Sequence, residues 1–275
     1  MSPFRGSVAE TGRWEHFGFT CADGIATVTL DRPDKLNALT FEAYADLRDL
    51  FHELPQRGDA RVLVLRGSGT AFCSGGDVNE IIGETLAMEP DRLLEFTRMT
   101  GQVVKAMREC PIPIIVALHG MAAGAGSVLA LAADFRIGTP KAKFAFLFTK
   151  VGLSGADMGS AYLLPRIVGL GRATQLLMLG DTVRAEAAER YGLLTELVEA
   201  EELDNRVGEL ATRLATGPFQ GYAQTKALLT RELDMDLGSA VELEAMTQAL
   251  LMKTQDYAEF HAAFNAKREP RWQGR

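Results

Sequence analysis

Near the start of the chain, apolar and polar positions alternate. Phe17, Phe19 and Cys21 are separated by small or polar residues, and the run 25–30 is rich in β-branched ones. Ala22, Asp23 and Gly24 between them form a turn sequence, so the pattern predicts a β-hairpin. Beyond the loop 31–37 the period lengthens. Thr40 is placed to cap a helix that runs to about Leu54 and turns Leu47, Leu50 and Phe51 to one face. Glu42 adds a negative charge to its first turn, where the helix dipole favours one. The apolar runs 61–65 and 112–118 read as buried strands, with a long helix over about 90–109 between them. Strand patterns recur at 135–137 and 143–147. Residues 128–133 read as a buried helix. From Gly159 the pattern is mostly helical, with a connector at 180–183 and a short helix stopped by Gly192. Three amphipathic helices are predicted in the tail, broken near Gly217-Pro218 and Gly238. Strands and helices alternate early and helices alone close the chain. This predicts an α/β core over 16–200, a helical region over 201–275, and a mobile lead-in over 1–15.

Composition narrows the class. The 275 residues are 47% hydrophobic and 24% charged, enough for a core that needs no staples. Lys and Arg number 29 against 36 Asp and Glu, a net charge of −7, which argues against a nucleic-acid partner. Cys21, Cys73 and Cys110 form no CxxC and read as reduced thiols of a cytoplasmic protein. Asp134 and Arg136 interrupt the longest apolar stretch, and the first residues lack an apolar signal core, so no membrane partner is expected. His16, His52, His119 and His261 lack metal-ligand spacing, so no metal is expected.

Two small-residue segments carry the chemistry. The first is Ala71-Phe-Cys-Ser-Gly-Gly-Asp-Val78, and the second is His119-Gly-Met-Ala-Ala-Gly-Ala-Gly-Ser-Val128. Each follows a predicted buried strand, and the second opens a predicted helix. Small residues let a ligand approach the backbone, and a helix start has unpaired N–H groups. Facing each other, the two segments would give two donors to one carbonyl oxygen. Tight packing of a helix on a sheet accounts for the same residues, and both readings stand at this point. Gly152-Leu-Ser-Gly-Ala156 nearly matches a serine-hydrolase elbow, but Ala156 breaks it and Ser154 reads as a turn residue.

These segments resemble the crotonase superfamily, the enoyl-CoA hydratase/isomerase family. So do Asp31-Arg-Pro-Asp-Lys-Leu-Asn-Ala-Leu39, Ala132-Ala-Asp-Phe-Arg136, Leu164-Pro-Arg-Ile-Val-Gly169 and Ala185-Glu-Ala-Ala188. The resemblance covers about 16–200 in register. It implies a ββα spiral core with a helical C-terminal trimerisation region, and a homo-oligomer, trimer or hexamer. It implies an acyl-CoA thioester substrate that brings coenzyme A with it, so no separate cofactor is expected. By position, it implies the Ser74 and Ala125 backbone N–H groups as oxyanion donors. Lys35, Leu36 and Asn37 fall along the coenzyme A path, and Gly76, Gly124 and Phe148 beside the ligand. Lys267 matches a basic position that meets the coenzyme A phosphate, although a solvated helix-end lysine fits it equally.

Two departures bear on the reaction. The two glutamates that typical hydratases use fall here at Val128 and Phe148, which move no proton. One carboxylate remains, Asp157, at an offset where relatives that isomerise acyl-CoA esters carry an aspartate. Its apolar neighbours Phe148 and Met158 should raise its pKa, as a base requires. A loop turn or helix cap is the plainer role for Asp157. Asp77 and Asp134 read as structural carboxylates and His119 as a core histidine. Phe144, Phe146 and Phe148 would suit a cyclic or aryl acyl group, with core packing the alternative for two of them. The expected activity is enoyl-CoA isomerisation or a related single-carboxylate proton transfer. The alternatives are a hydratase with a non-standard acid/base set, drawing on Glu80 or Glu84, and a silent acyl-CoA-binding protein.

Overall fold

The computed structural model of the protein describes residues 11–274. Strands β1 (Gly18–Ala22) and β2 (Ile25–Leu30) form the predicted hairpin, with Ala22 opposite Ile25. Asp23 and Gly24 both take positive φ, 52° and 78°, the geometry that matches a two-residue turn to the twist of its strands. Helix α1 (Phe41–Arg57) starts where Thr40 accepts the Ala43 N–H at 3.2 Å. It runs through Pro55, three residues beyond its predicted end. Next come β3 (Val62–Gly67), the single turn α2 (Gly83–Thr85) and α3 (Pro90–Glu109). Strand β4 (Ile114–Leu118) is buried at every position. Strand β5 (Met121–Ala123), helix α4 (Ala125–Ala132), and strands β6 (Phe135–Gly138) and β7 (Lys143–Ala145) follow closely. The remaining elements are α5 (Ser160–Val168), α6 (Leu170–Leu179), β8 (Val183–Arg184), α7 (Ala185–Arg190) and β9 (Glu196–Leu197). The tail holds α8 (Leu203–Ala215), α9 (Phe219–Arg231), α10 (Leu237–Leu251) and α11 (Gln255–Asn265).

Six strands form one sheet in the order β1-β2-β3-β4-β6-β9, parallel from β2 onward. Strands β5, β7 and β8 form a second, smaller sheet. Alternation along β3 and β4 explains their unbroken apolar runs. Leu63, Leu65, Ile114 and Val116 face one way, onto Leu47, Leu50, Phe51, Val103 and Met107 of α1 and α3. Val62, Val64, Ile115 and Ala117 face the other way, onto Val207, Ala211 and Leu214 of α8. The first tail helix therefore closes the sheet's second face. Buried Lys226 on α9 ties the tail down further: its Nζ donates to Ile112 O at 3.0 Å and pairs with Asp134 at 2.8 Å. No helix among the described residues is long and apolar enough to cross a membrane.

Three expectations differ from the structure. Of the lead-in, residues 1–10 lie outside the described residues, but 11–15 are held rather than mobile. Thr11 Oγ1 donates to Glu53 at 2.7 Å, and Trp14 is buried against Phe17. The strand predicted over 143–147 stops at Ala145, and Leu147–Val151 form a 3-10 turn. Of the three phenylalanines weighed as an acyl lining, Phe144 and Phe146 take the core alternative, because both sit fully inside the main cluster. The tail has four helices where three were predicted. Gly238 lies in the first turn of α10, because Asp236 caps that helix by accepting the Ser239 N–H at 3.0 Å.

Candidate active site

The first small-residue segment is held from both sides. On one side, the Leu39 N–H donates to Gly75 O at 2.8 Å and the Asp77 N–H to Leu39 O at 2.9 Å. On the other, the Cys73 N–H donates to Met121 O at 3.0 Å and the Ala123 N–H to Cys73 O at 2.9 Å. The second segment is thereby brought backbone to backbone with the first. Gly75 takes φ 105°, and a Cβ on it would lie 3.0 Å from Ala123 O and 3.5 Å from Ala125 N. A Cβ on Gly126 would lie 2.2 Å from Cys73 O. Only glycine allows that approach. Ser127 fixes α4 in place, with its Oγ 2.7 Å from Ala122 O while it accepts the Ala145 N–H at 3.2 Å. Close packing and facing amides, the two readings of these segments, are therefore features of one arrangement.

Hydrogen-bond accounting decides which amides remain available. The Ser74 N–H donates to Leu36 O at 3.0 Å, so the predicted donor at Ser74 is already committed. The reason is the loop before α1, which takes a left-handed turn at Leu36 and Asn37, φ 50° and 57°, and aims the Leu36 carbonyl inward. One residue on from Ser74, the Gly75 carbonyl is fixed on Leu39. A trans peptide points the following N–H the opposite way, so the Gly76 N–H faces the side where Cys73 meets β5. It has no acceptor among the described residues. The Ala125 N–H, first in α4, has none either, as expected at a helix start. Gly76 and Ala125 are thus the open amides. Gly124 precedes the second, and its own N–H is taken by Ala145 O at 2.8 Å.

Asn37 clamps the loop with its side chain. Its Nδ2 donates to Ser68 O and Ala71 O, both at 2.8 Å, and its Oδ1 accepts the Arg32 N–H at 2.9 Å. That amide is fully engaged and leaves only backbone for a ligand. Lys35 and Leu36 are exposed beside it. Lys267 is exposed at the end of α11, and its ammonium makes no ion pair among the described residues.

Asp157 is half-buried on the loop before α5. Burial pushes its carboxyl above the ordinary aspartate range, against the opposing pull of the Met158 N–H, which donates to Oδ1 at 2.8 Å. Beyond the Met158 N–H, the turn around it does not use that carboxylate. Ser160 Oγ accepts the Asp157 N–H at 3.1 Å and donates to Gly155 O at 2.8 Å, and Gly159 rather than Asp157 occupies the cap position of α5. Met158 holds φ 51° there. A cavity of about 370 Å³ opens beside Met158 and Gly159, lined also by Val104, Tyr162 and Leu233 and by the charged Lys105, Arg108 and Glu109.

The other candidates are engaged elsewhere. Val128 is fully buried in α4, and Phe148 is 9% exposed on the 3-10 turn. Glu80 is exposed and pairs with Arg32 at 2.8 Å, and Glu84 is exposed on α2. Asp77 pairs with Arg32 at 3.2 Å and accepts the Asn79 and Glu80 N–H groups. Burial pushes its carboxyl up, but these donors outweigh that and hold it below the ordinary range. Asp134 pairs with Arg108 at 3.2 Å and with Lys226. His119 Nε2 lies 3.1 Å from Gly69 O, and burial lowers its pKa. One residue escaped the sequence reading. Tyr44 belongs to the buried stripe of α1, and the only signal in the sequence was a phenol among aliphatic core positions.

The sequence profile described as enoyl-CoA hydratase/isomerase matches residues 20–275. The 1,2-epoxyphenylacetyl-CoA isomerase of Escherichia coli (strain K12) is 35% identical, covering 92% of this chain and 96% of its own. A protein of Rhodobacter capsulatus named a probable enoyl-CoA hydratase is 37% identical, covering 94% and 97%. A crystal structure from Streptomyces coelicolor A3(2) that carries an enoyl-CoA hydratase name superposes with a TM-score of 0.98 at 68% identity, over 100% of both chains.

Proposed function

The chain belongs to the enoyl-CoA hydratase/isomerase family, and we propose that it isomerises acyl-CoA thioesters by single-carboxylate proton transfer. In this reading the Gly76 and Ala125 N–H groups bind the thioester oxygen. Asp157 takes a proton from one carbon of the acyl group, and the electron pair moves onto that oxygen as an enolate. Asp157 then returns the proton at a second carbon. The amides act where charge develops, which is where such donors are worth most. The observation that carries the reading is the pairing of Val128 and Phe148 at the glutamate positions with one desolvated carboxylate, Asp157, in the adjoining loop. A raised pKa suits a group that must both accept and release a proton. Glu80 and Glu84, the acids a non-standard hydratase would need, are exposed, and Glu80 is held by Arg32.

Coenzyme A would follow the Lys35, Leu36 and Asn37 backbone, and Lys267 would meet its phosphate. A homo-oligomer, trimer or hexamer, would cover α10 and α11. No residue of α10 is buried, and Leu237, Leu250, Phe260 and Phe264 are exposed in the single chain.

Turnover of a 2-enoyl-CoA and a 3-enoyl-CoA in deuterated water, read by mass, tests the reaction. Isomerisation of the second, and no water added to the first, is the expected result. Addition of water to the first would make the protein a hydratase. Binding of both without change would make it a silent acyl-CoA binder. Asp157→Asn should keep ester binding and lower isomerisation at least about a hundredfold. Unchanged turnover would remove Asp157 from the mechanism.

A further inference from the structure

The α1 helix inserts one polar group beside Gly76, one of the two residues with an open amide. Tyr44 is 3% exposed, and its ring packs edge-on against Phe96, with centroids 6.2 Å apart. Its phenol oxygen would lie 3.5 Å from a Cβ on Gly76, so glycine there is what leaves the hydroxyl uncovered. That oxygen has no hydrogen-bond partner among the described residues. It is not one of the polar atoms sealed from solvent without a partner, so in the free chain water reaches it there. An apolar core position would be filled more cheaply by phenylalanine, as at Phe51 on the same stripe.

We propose that the Tyr44 hydroxyl determines specificity by donating a hydrogen bond to an oxygen on the acyl group, within one or two carbons of the thioester. This rests on the acyl-CoA reading above. A carbonyl bound by the Gly76 N–H brings the first acyl carbons past the Gly76 Cα, where the Tyr44 oxygen sits. The phenol stays protonated there. Burial, with Cys73 and Asp157 nearby, holds its pKa well above the ordinary tyrosine value, so it serves as a donor and not as a base. An acyl group with a hydroxyl, keto or ether oxygen at that point satisfies the donor. A plain hydrocarbon chain displaces its water and leaves it unmet. Sites built this way reject the analogue that lacks the oxygen far more strongly than apolar pockets reject an extra methylene.

Calorimetric titration with butanoyl-CoA and with each enantiomer of 3-hydroxybutanoyl-CoA tests this. The three ligands differ only in one oxygen and its configuration. The wild-type chain should bind one enantiomer at least about tenfold more tightly than butanoyl-CoA. Tyr44→Phe, which keeps the ring, should narrow that ratio to about twofold or less while butanoyl-CoA affinity holds. Retained butanoyl-CoA affinity also shows that the variant is folded. A ratio that survives in Tyr44→Phe, or no preference in the wild type, overturns the inference and leaves the acyl-CoA reading standing. No binding of any of the three to the wild type overturns both. Unmeasurable butanoyl-CoA binding by Tyr44→Phe alone would give Tyr44 a structural role and overturn the inference.

Discussion

The Ser74 N–H is bonded to the Leu36 carbonyl at 3.0 Å, and this one bond moves the open donor of the first segment to Gly76. Its consequence can be measured by replacing single backbone amides with esters. An ester at Gly76, which deletes the N–H and adds no atoms, should lower turnover by about 10²–10³-fold. The same change at Ala125 should act similarly. At Ser74 it should instead cost stability, about 1 kcal/mol, with turnover nearly kept. If the Ser74 ester were the damaging one, the assignment would return to Ser74.

Asp157 links the site to stability through pH. Its carboxyl titrates above the ordinary 3.8 in the folded chain because it is buried. The folded state therefore holds that proton more tightly than the unfolded state does. The stability involved is present below the unfolded pKa and lost as pH rises through the raised folded value. Asp157→Asn, always neutral, should match wild type in thermal unfolding at acidic pH and exceed it near neutrality. Equal melting temperatures across that window would mean the carboxyl is not desolvated.

Gly126 tests the close approach of the two segments. Alanine there would place a Cβ 2.2 Å from the Cys73 carbonyl, a backbone atom that cannot rotate away. Gly126→Ala should lose stability toward the upper end of about 1–3 kcal/mol, seen as a lowered urea midpoint. Turnover should fall with it, because separating the segments separates the Gly76 and Ala125 amides. An unchanged midpoint would show that α4 can shift freely.

The tail helices carry the assembly prediction. Leu250→Asp and Phe264→Asp put charge on exposed apolar positions that a homo-oligomer would cover. Light scattering after gel filtration should show the wild-type chain as a trimer or hexamer and the double variant as a smaller species. A wild-type chain that elutes as a monomer would refute the assembly.

Much of this was legible in the sequence because local rules and tertiary context agreed. Thr40 caps α1, 90–109 is a helix, and β4 is apolar because it is buried on both faces. Where they diverged, packing decided. Phe146 and Phe148 extend the β pattern of 143–147, yet the chain coils into a 3-10 turn after Ala145 and still buries both rings. Apolar spacing alone does not separate these outcomes. Gly238 looked like a helix break, whereas Asp236 two residues earlier was the effective signal. The Ser74 donor was lost to the Leu36 carbonyl, whose direction depends on a left-handed turn that no spacing reveals. Apart from Tyr44, the side chains at the site could be read from the sequence. The orientation of its peptide planes could not.

The Lys226 ammonium contacts the Ile112 carbonyl across 114 residues of sequence, and α8 closes the second face of the sheet. A chain emerging from the ribosome can fold its hairpin and pack α1 and α3 early. Its central strand then waits with one face uncovered until the tail is synthesised. Such an intermediate exposes Val62, Val64, Ile115 and Ala117, an aggregation-prone surface whose exposure time depends on translation speed. A ribosome stalled before residue 203 would leave a chain that chaperones must hold, even though Gly76, Ala125 and Asp157 had already been made.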